Sequence, residues 1–244
     1  MVFDMDLSDP TRAVTATLDG TVLAVLAAAG KPLTVGQVAQ QAVRGSEIGI
    51  RRSLARLVDQ GIVRATLMGR NQVHELNRDH IAAGVADALA ELRPELWKRL
   101  RAELSHWRPH PMYASVFGSA ARGDGNESSD IDLLLVHPPF PGEKRPPRPN
   151  ARLGSQVTEA LAEFTAASSE PEAARRWEEQ VDRLRQLVQG WTGNALQVVD
   201  VSFQDWRNPH SDSEPLFVEV ERDGIELMKS RAFTVWPVRR PTRG

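Results

Sequence analysis

Apolar positions in the first third of the chain recur at helical spacing. Leu18, Val22, Leu23, Val25 and Leu26 predict an amphipathic helix that stops at Gly30-Lys31-Pro32. Thr34 is placed to cap a second helix from Val35 to about Ala42. Residues 43–46 form a turn. Ser46 caps a third helix with Glu47 in its first turn and an apolar stripe of Ile50, Leu54, Leu57 and Val58, ending at Gly61. Two strand-like pieces follow, 62–67 and 72–76, with Met68-Gly69-Arg70-Asn71 as the turn between them. Residues 81–110 return to a helical pattern. Pro94 is expected to open a new helix at its first turn, with Trp97, Leu100, Leu104 and Trp107 sharing a face. His106 and His110 read as surface histidines, because Pro109 between them ends the helix.

The pattern then changes period. Tyr113 to Phe117 is a short apolar run broken at Gly118-Ser119. A polar, glycine-bearing segment follows, and a second apolar run carries Asp130 and Asp132. Prolines and the basic residues Lys144, Arg145 and Arg148 fill 138–149, which reads as a connecting loop or a basic flap. Helices are expected at 155–167 and 171–189, the second with Leu184, Leu187, Val188 and Trp191 on its core face. Residues 194–203 read as a third strand. Residues 214–228 read as a helix closing on Gly224-Ile225-Glu226-Leu227, with Glu219, Glu221 and Asp223 on a solvated face. The domains expected are 1–80, 81–230 and a basic, disordered tail at 231–244.

Bulk properties narrow the class. The 244 residues are 41% hydrophobic and 25% charged, which suits one large or two modest globular domains. The formal net charge of −2 gives no general attraction to nucleic acid, so any such surface is local. With no cysteine, disulfide scaffolds and zinc–cysteine sites are excluded. The acidic start MVFDMDLSDP lacks the basic region of a signal peptide, and the apolar run 21–30 is too short to span a bilayer. A cytoplasmic protein without a membrane segment is expected.

Chemistry concentrates in residues 116–136. Side chains two apart on a strand share a face, so Asp130 and Asp132 project together while Ile131, Leu133 and Leu135 turn to the core. Adjacent carboxylates repel unless neutralised, and a hard divalent cation with oxygen ligands does this well. Gly118 lets the backbone approach a ligand, a helix starting there would favour phosphate, Ser119 adds a hydroxyl, and Arg122 adds a fork that fits phosphate oxygens. Carboxylates, metal and a phosphate cradle point to phosphoryl or nucleotidyl transfer.

The same stretch resembles the signature of DNA polymerase β-type nucleotidyltransferases in their small prokaryotic branch. It reads Phe117-Gly118-Ser119, then ten residues (120–129), then Asp130-Ile131-Asp132, and it also matches at Ala121, Arg122, Gly123 and Ser129. The resemblance implies an α/β (α+β) domain with a small mixed β-sheet flanked by helices. It implies transfer of a nucleoside monophosphate from an NTP, ATP by analogy, to a hydroxyl on a protein or small molecule. Asp130 and Asp132 would hold Mg²⁺ (or Mn²⁺), and Gly118, Ser119, Arg122 and Ser129 the phosphates. Such enzymes place a third catalytic carboxylate on the strand at 194–203. Overlaying the pattern puts Gln197 there; Asp200 takes that role if a β-bulge turns it.

Helix, helix, helix and hairpin over residues 13–78 resembles the winged helix-turn-helix of ArsR- or MarR-like regulators. Residues 31–75 hold seven basic side chains against three acidic ones. Arg44, Arg51, Arg52, Arg56 and Arg70 are the expected DNA contacts, with the third helix in the major groove, and a homodimer would raise the affinity. A protein-binding module remains open. So does a nucleotide-sensing transcriptional regulator, or an antitoxin-like protein, whose nucleotidyltransferase domain is weak or inactive.

Overall fold

The computed structural model describes residues 4–143, 159, 162, 170–207, 214–231 and 233. Most of the expected helix at 155–167, the basic residues of the proline-rich loop and nearly all of the tail fall outside that set. The chain divides into two compact units, Met5–Leu96 and the bulk of the chain from Trp97 onward.

In the first unit, α1 (Asp19–Ala29) ends where Gly30 turns left-handed at φ 58°. After a two-residue strand β1 (Leu33–Thr34), α2 (Val35–Gln41) starts at a reciprocal capping box between Thr34 and Gln37. Ser46 caps α3 (Glu47–Asp59) by accepting the Gly49 N–H at 3.2 Å. Ile50, Leu54 and Leu57 recur at three- and four-residue intervals and are buried against Val22, Leu26, Leu33 and Val38. Strands β2 (Val63–Met68) and β3 (Asn71–Leu76) pair antiparallel, and β1 adds to β3 for the order β1-β3-β2. Met68 pairs with Asn71, so the turn is the two residues Gly69-Arg70 rather than the four expected. Gly69 at φ 64° permits this tighter hairpin.

The N-terminal segment is tied into this unit by a buried carboxylate. Asp9 accepts hydrogen bonds from Thr11 Oγ1 at 2.5 Å, Thr21 Oγ1 at 2.7 Å and Arg44 Nε at 2.5 Å. Desolvation pushes its carboxyl up, but the bonds from Thr11, Thr21 and Arg44 outweigh it and hold the pKa below the usual value.

Helix α4 (Ala83–Ser105) runs through Pro94 without interruption, against the expectation of a new helix there. Buried positions continue across the proline, from Ala86 and Leu89 to Leu96, Trp97, Leu100 and Leu104. Burial on both sides offsets the lost hydrogen bond, which costs about 3 kcal/mol. Ala83, Ala86 and Leu89 belong to the first core, and the compact unit reaches Leu96.

The second unit is built on a four-stranded mixed sheet of order β6-β5-β4-β7. Strand β4 (Tyr113–Phe117) lies antiparallel to β5 (Ile131–His137) and β7 (Ile225–Lys229), while β6 (Leu196–Ser202) runs parallel to β5. A short helix α5 (Gly118–Arg122) follows β4, and the chain continues with α6 (Ala173–Thr192), α7 (Phe203–Arg207) and α8 (Glu214–Asp223). On α6 the buried stripe is Trp177, Val181, Leu184 and Val188, with Trp107 meeting Trp177 edge-to-face at 5.2 Å. Leu187 and Trp191, expected in that stripe, are only half-buried.

Strand β5 departs from simple alternation. Leu133 to Val136 are all fully buried, because Phe117, Phe203, Trp206 and Val220 cover the face opposite to that of Leu133 and Leu135. Only the first end of the strand, at Asp132, opens to solvent. No described helix is long and apolar enough to cross a membrane.

Candidate active site

Register fixes the site. Phe117 pairs with Asp132 across β4 and β5, so the turn into α5 lies beside the open end of β5. Gly118 takes φ +70°, and a Cβ built on it would stand 2.3 Å from Asp132 Oδ2. Any larger residue would collide with the carboxylate while adopting a conformation L-residues avoid. The first N–H groups of α5 have no side-chain cap.

Asp130 is exposed just ahead of β5, and Asp132 is half-buried. Desolvation, the Asp130 charge and the Glu219 charge all raise the Asp132 carboxyl above its ordinary pKa, opposed only by Arg122. A pair strained in this way fits a divalent cation, which would relieve the repulsion. Among the described residues no three His, Cys, Asp or Glu side chains are grouped to hold a metal.

The third position on β6 is resolved by pairing. Asp132 faces Gln197 and Leu135 faces Asp200 in the parallel β5–β6 ladder, which shows no irregularity. Gln197 Nε2 donates to Asp130 Oδ2 at 3.2 Å. Asp200 lies three residues further along on the opposite sheet face, where it accepts the Trp177 indole N–H at 2.8 Å. Desolvation raises its pKa, opposed by His137 and the Trp177 bond. The bulge that would have brought Asp200 to the pair is absent, so the expected catalytic carboxylate is not at the site.

The phosphate-binding candidates divide. The hydroxyls of Ser119 and Ser129 converge on Gly125, whose Cβ position lies 3.2 and 3.1 Å from them. Ser129 Oγ also accepts the Asn126 N–H at 2.8 Å, closing the turn before Asp130. Arg122 is engaged by carboxylates: Nη1 donates to Glu219 at 2.8 Å, Nε donates to Asp124 at 3.0 Å, and Asp223 lies 3.8 Å away. Two residues escaped the sequence reading. Glu219, read as solvated, reaches the site because α8 packs on α5 and β4. Asn194 is buried and donates its side-chain amide to the Ser129 carbonyl at 3.1 Å, while Ile131 N–H bonds to the Ala195 carbonyl at 2.9 Å. An asparagine two residues ahead of a strand was the available signal.

In the first unit, the expected DNA contacts also divide. Arg44 bonds to Asp9 and to the Thr17 carbonyl, Arg51 to Glu47, and Arg56 to Asp19, which also accepts from Ser53. Arg52 and Arg70 are exposed and make no ion pair among the described residues.

No curated protein gives a significant match to the chain. The family model described as nucleotidyltransferase domain matches residues 96–188, from within α4 through β4, α5 and β5 into α6. The match includes Gly118, Ser119, Arg122, Asp130 and Asp132 and stops ahead of β6. It supports a nucleotidyltransferase domain in the second unit and, with it, the transfer of nucleoside monophosphates as the general reaction class.

Proposed function

We propose that the second unit binds an NTP together with Mg²⁺ (or Mn²⁺) and transfers its NMP to a hydroxyl, which forms the new bond to the α-phosphorus and loses its proton as the α–β phosphoanhydride bond breaks and pyrophosphate leaves, and that the first unit is a DNA-binding winged helix. The observation that carries the reading is the packing of Gly118 onto Asp132 beside Asp130. It brings a backbone turn with uncapped N–H groups and a carboxylate pair to one place. A divalent cation held there would neutralise the pair and polarise phosphate oxygens. Asp132 holds its side of that site through the Gly118 contact. Asp130 is oriented by Gln197, and the Ser119 and Ser129 hydroxyls supply polar groups for phosphate. ATP as donor rests on analogy alone, and the acceptor is a protein or small-molecule hydroxyl.

Gln197 favours a second reading. An amide cannot take a proton from an acceptor hydroxyl, and Asp200 faces away from the pair. On this reading the domain binds the nucleotide with slow or no transfer and acts as a nucleotide sensor, or as an antitoxin-like module, for the winged helix.

Calorimetric titration with each NTP, with and without Mg²⁺, tests the shared core of both readings. Binding that requires Mg²⁺ and is lost in Asp130→Asn/Asp132→Asn supports it, and binding indifferent to both overturns the metal site. A nucleotide-sized mass increase on an acceptor then separates transferase from sensor.

A further inference from the structure

A cavity of about 550 Å³ opens at the end of the same sheet remote from the carboxylate pair. Its floor is Met112 and Met228, and its rim carries Arg108, His110, Arg176 and Lys229, with Glu170 the one acid among the lining residues. The strands place it. Met112 N–H bonds to the Val136 carbonyl at 2.8 Å, and Ser230 N–H bonds to the Met112 carbonyl at 2.9 Å. The floor therefore sits at the far end of β5, four residues from Asp132, or roughly 13 Å along the strand.

The rim is built to meet negative charge. Arg108 Nη1 donates to the Trp107 carbonyl at 2.6 Å and to His110 Nε2 at 2.5 Å, which fixes the guanidinium and leaves its Nη2 and Nε donors open among the described residues. Desolvation and Arg108 hold the His110 pKa low, consistent with a neutral ring accepting that bond. Arg176 pairs with Glu170 through Nη2, yet its Nε is buried with no hydrogen-bond partner among the described residues. Such a donor is costly to leave unmade. Lys229 pairs loosely with Glu226 at 3.9 Å, and its Nζ lies 6.0 Å over the Phe233 ring. The volume falls in the range of small-molecule sites, and an apolar floor with a few convergent polar groups is their usual composition.

We propose that this cavity binds a small amphipathic anion, an acid group on an apolar body, at a site separate from the carboxylate pair. The acid meets Arg108, Arg176 and Lys229 while the body covers the two methionines.

Sodium octanoate and its neutral counterpart octanamide are the probes, read on the full chain with ¹³C-methyl methionine. The protein has five methionines, and Met68 on the β2–β3 hairpin is the internal control. The expected result is saturable shifts of the Met112 and Met228 methyls with octanoate, at least tenfold weaker binding of octanamide, and no shift at Met68. Absent or non-saturable shifts at Met112 and Met228, equal affinity for the amide, or an equal response at Met68 would overturn the proposal. Arg108→Ala/Lys229→Ala is expected to weaken octanoate at least fivefold with the melting curve retained. Unchanged affinity in a folded double variant would overturn it as well.

Discussion

Gly118 and Asp132 occupy one space: the position a Cβ would take on the glycine lies 2.3 Å from the aspartate Oδ2. Gly118→Ala must therefore displace the carboxylate or rebuild the turn. A left-handed alanine alone costs about 1–2 kcal/mol. Under the proposed function, the expected outcome is a folded but destabilised protein whose Mg²⁺-dependent NTP affinity falls at least about tenfold, or ~1.4 kcal/mol, by calorimetry.

Asp132 links the site to pH. Its folded pKa is raised, so between the unfolded value of about 3.9 and the higher folded value the native state binds more protons than the unfolded state. Stability contributed by this group is thus lost as pH rises through that window, and at neutral pH without metal its charge is unfavourable. Asp132→Asn is expected to melt above the parent in chelator at pH 7. The gap should close below about pH 4 and, under the proposed function, reverse when Mg²⁺ and NTP are added, because only the parent would gain from them.

Gln197 pairs with Asp132 and donates to Asp130, at the position where the resemblance places a third carboxylate. Gln197→Asp is expected to tighten Mn²⁺ binding about tenfold, ~1.4 kcal/mol, and to lower metal-free stability by adding charge to a crowded pair. Equal Mn²⁺ affinity in variant and parent would show that β6 does not contribute to the cation site.

Asp200 serves the opposite sheet face. Asp200→Asn keeps an acceptor for the Trp177 N–H and is expected to leave NTP and metal affinity unchanged. Asp200→Ala removes that acceptor and should cost about 1–3 kcal/mol, read as a lower melting temperature with nucleotide binding retained.

Arginines in the first unit separate by task. Arg44→Ala removes a partner of the buried Asp9 and is expected to cost about 1–3 kcal/mol of stability. Arg52→Ala and Arg70→Ala should leave stability within about 0.5 kcal/mol. If the first unit binds DNA as proposed, each lowers DNA affinity and reduces the salt slope by about 0.9 for every phosphate the side chain had neutralised.

Much of this architecture is written locally. Thr34, Ser46 and the Ile50–Leu54–Leu57 stripe placed the first helices, and the Gly-Ser break with two aspartates placed the candidate site. What escaped depends on pairing between distant segments. Strand register decides that Gln197, and not Asp200, lies beside Asp132, and no local pattern encodes register between residues 65 apart. Glu219 and Arg122 are 97 positions apart, so their bridge depends on how α8 docks. Pro94 misled because a local penalty was outweighed by burial on both sides.

The charges around Arg122 carry a last consequence. Asp124, Asp130, Asp132, Glu219 and Asp223 outnumber Arg122 and its neighbour Arg222. A bare triphosphate meets net repulsion there, and a lone cation finds too few ligands to shed its water. Each improves the other's affinity by the same factor, as linkage requires. Under the proposed function, occupancy then follows the product of two concentrations rather than either one, and the domain behaves as a coincidence detector that answers only when nucleotide and metal are present together.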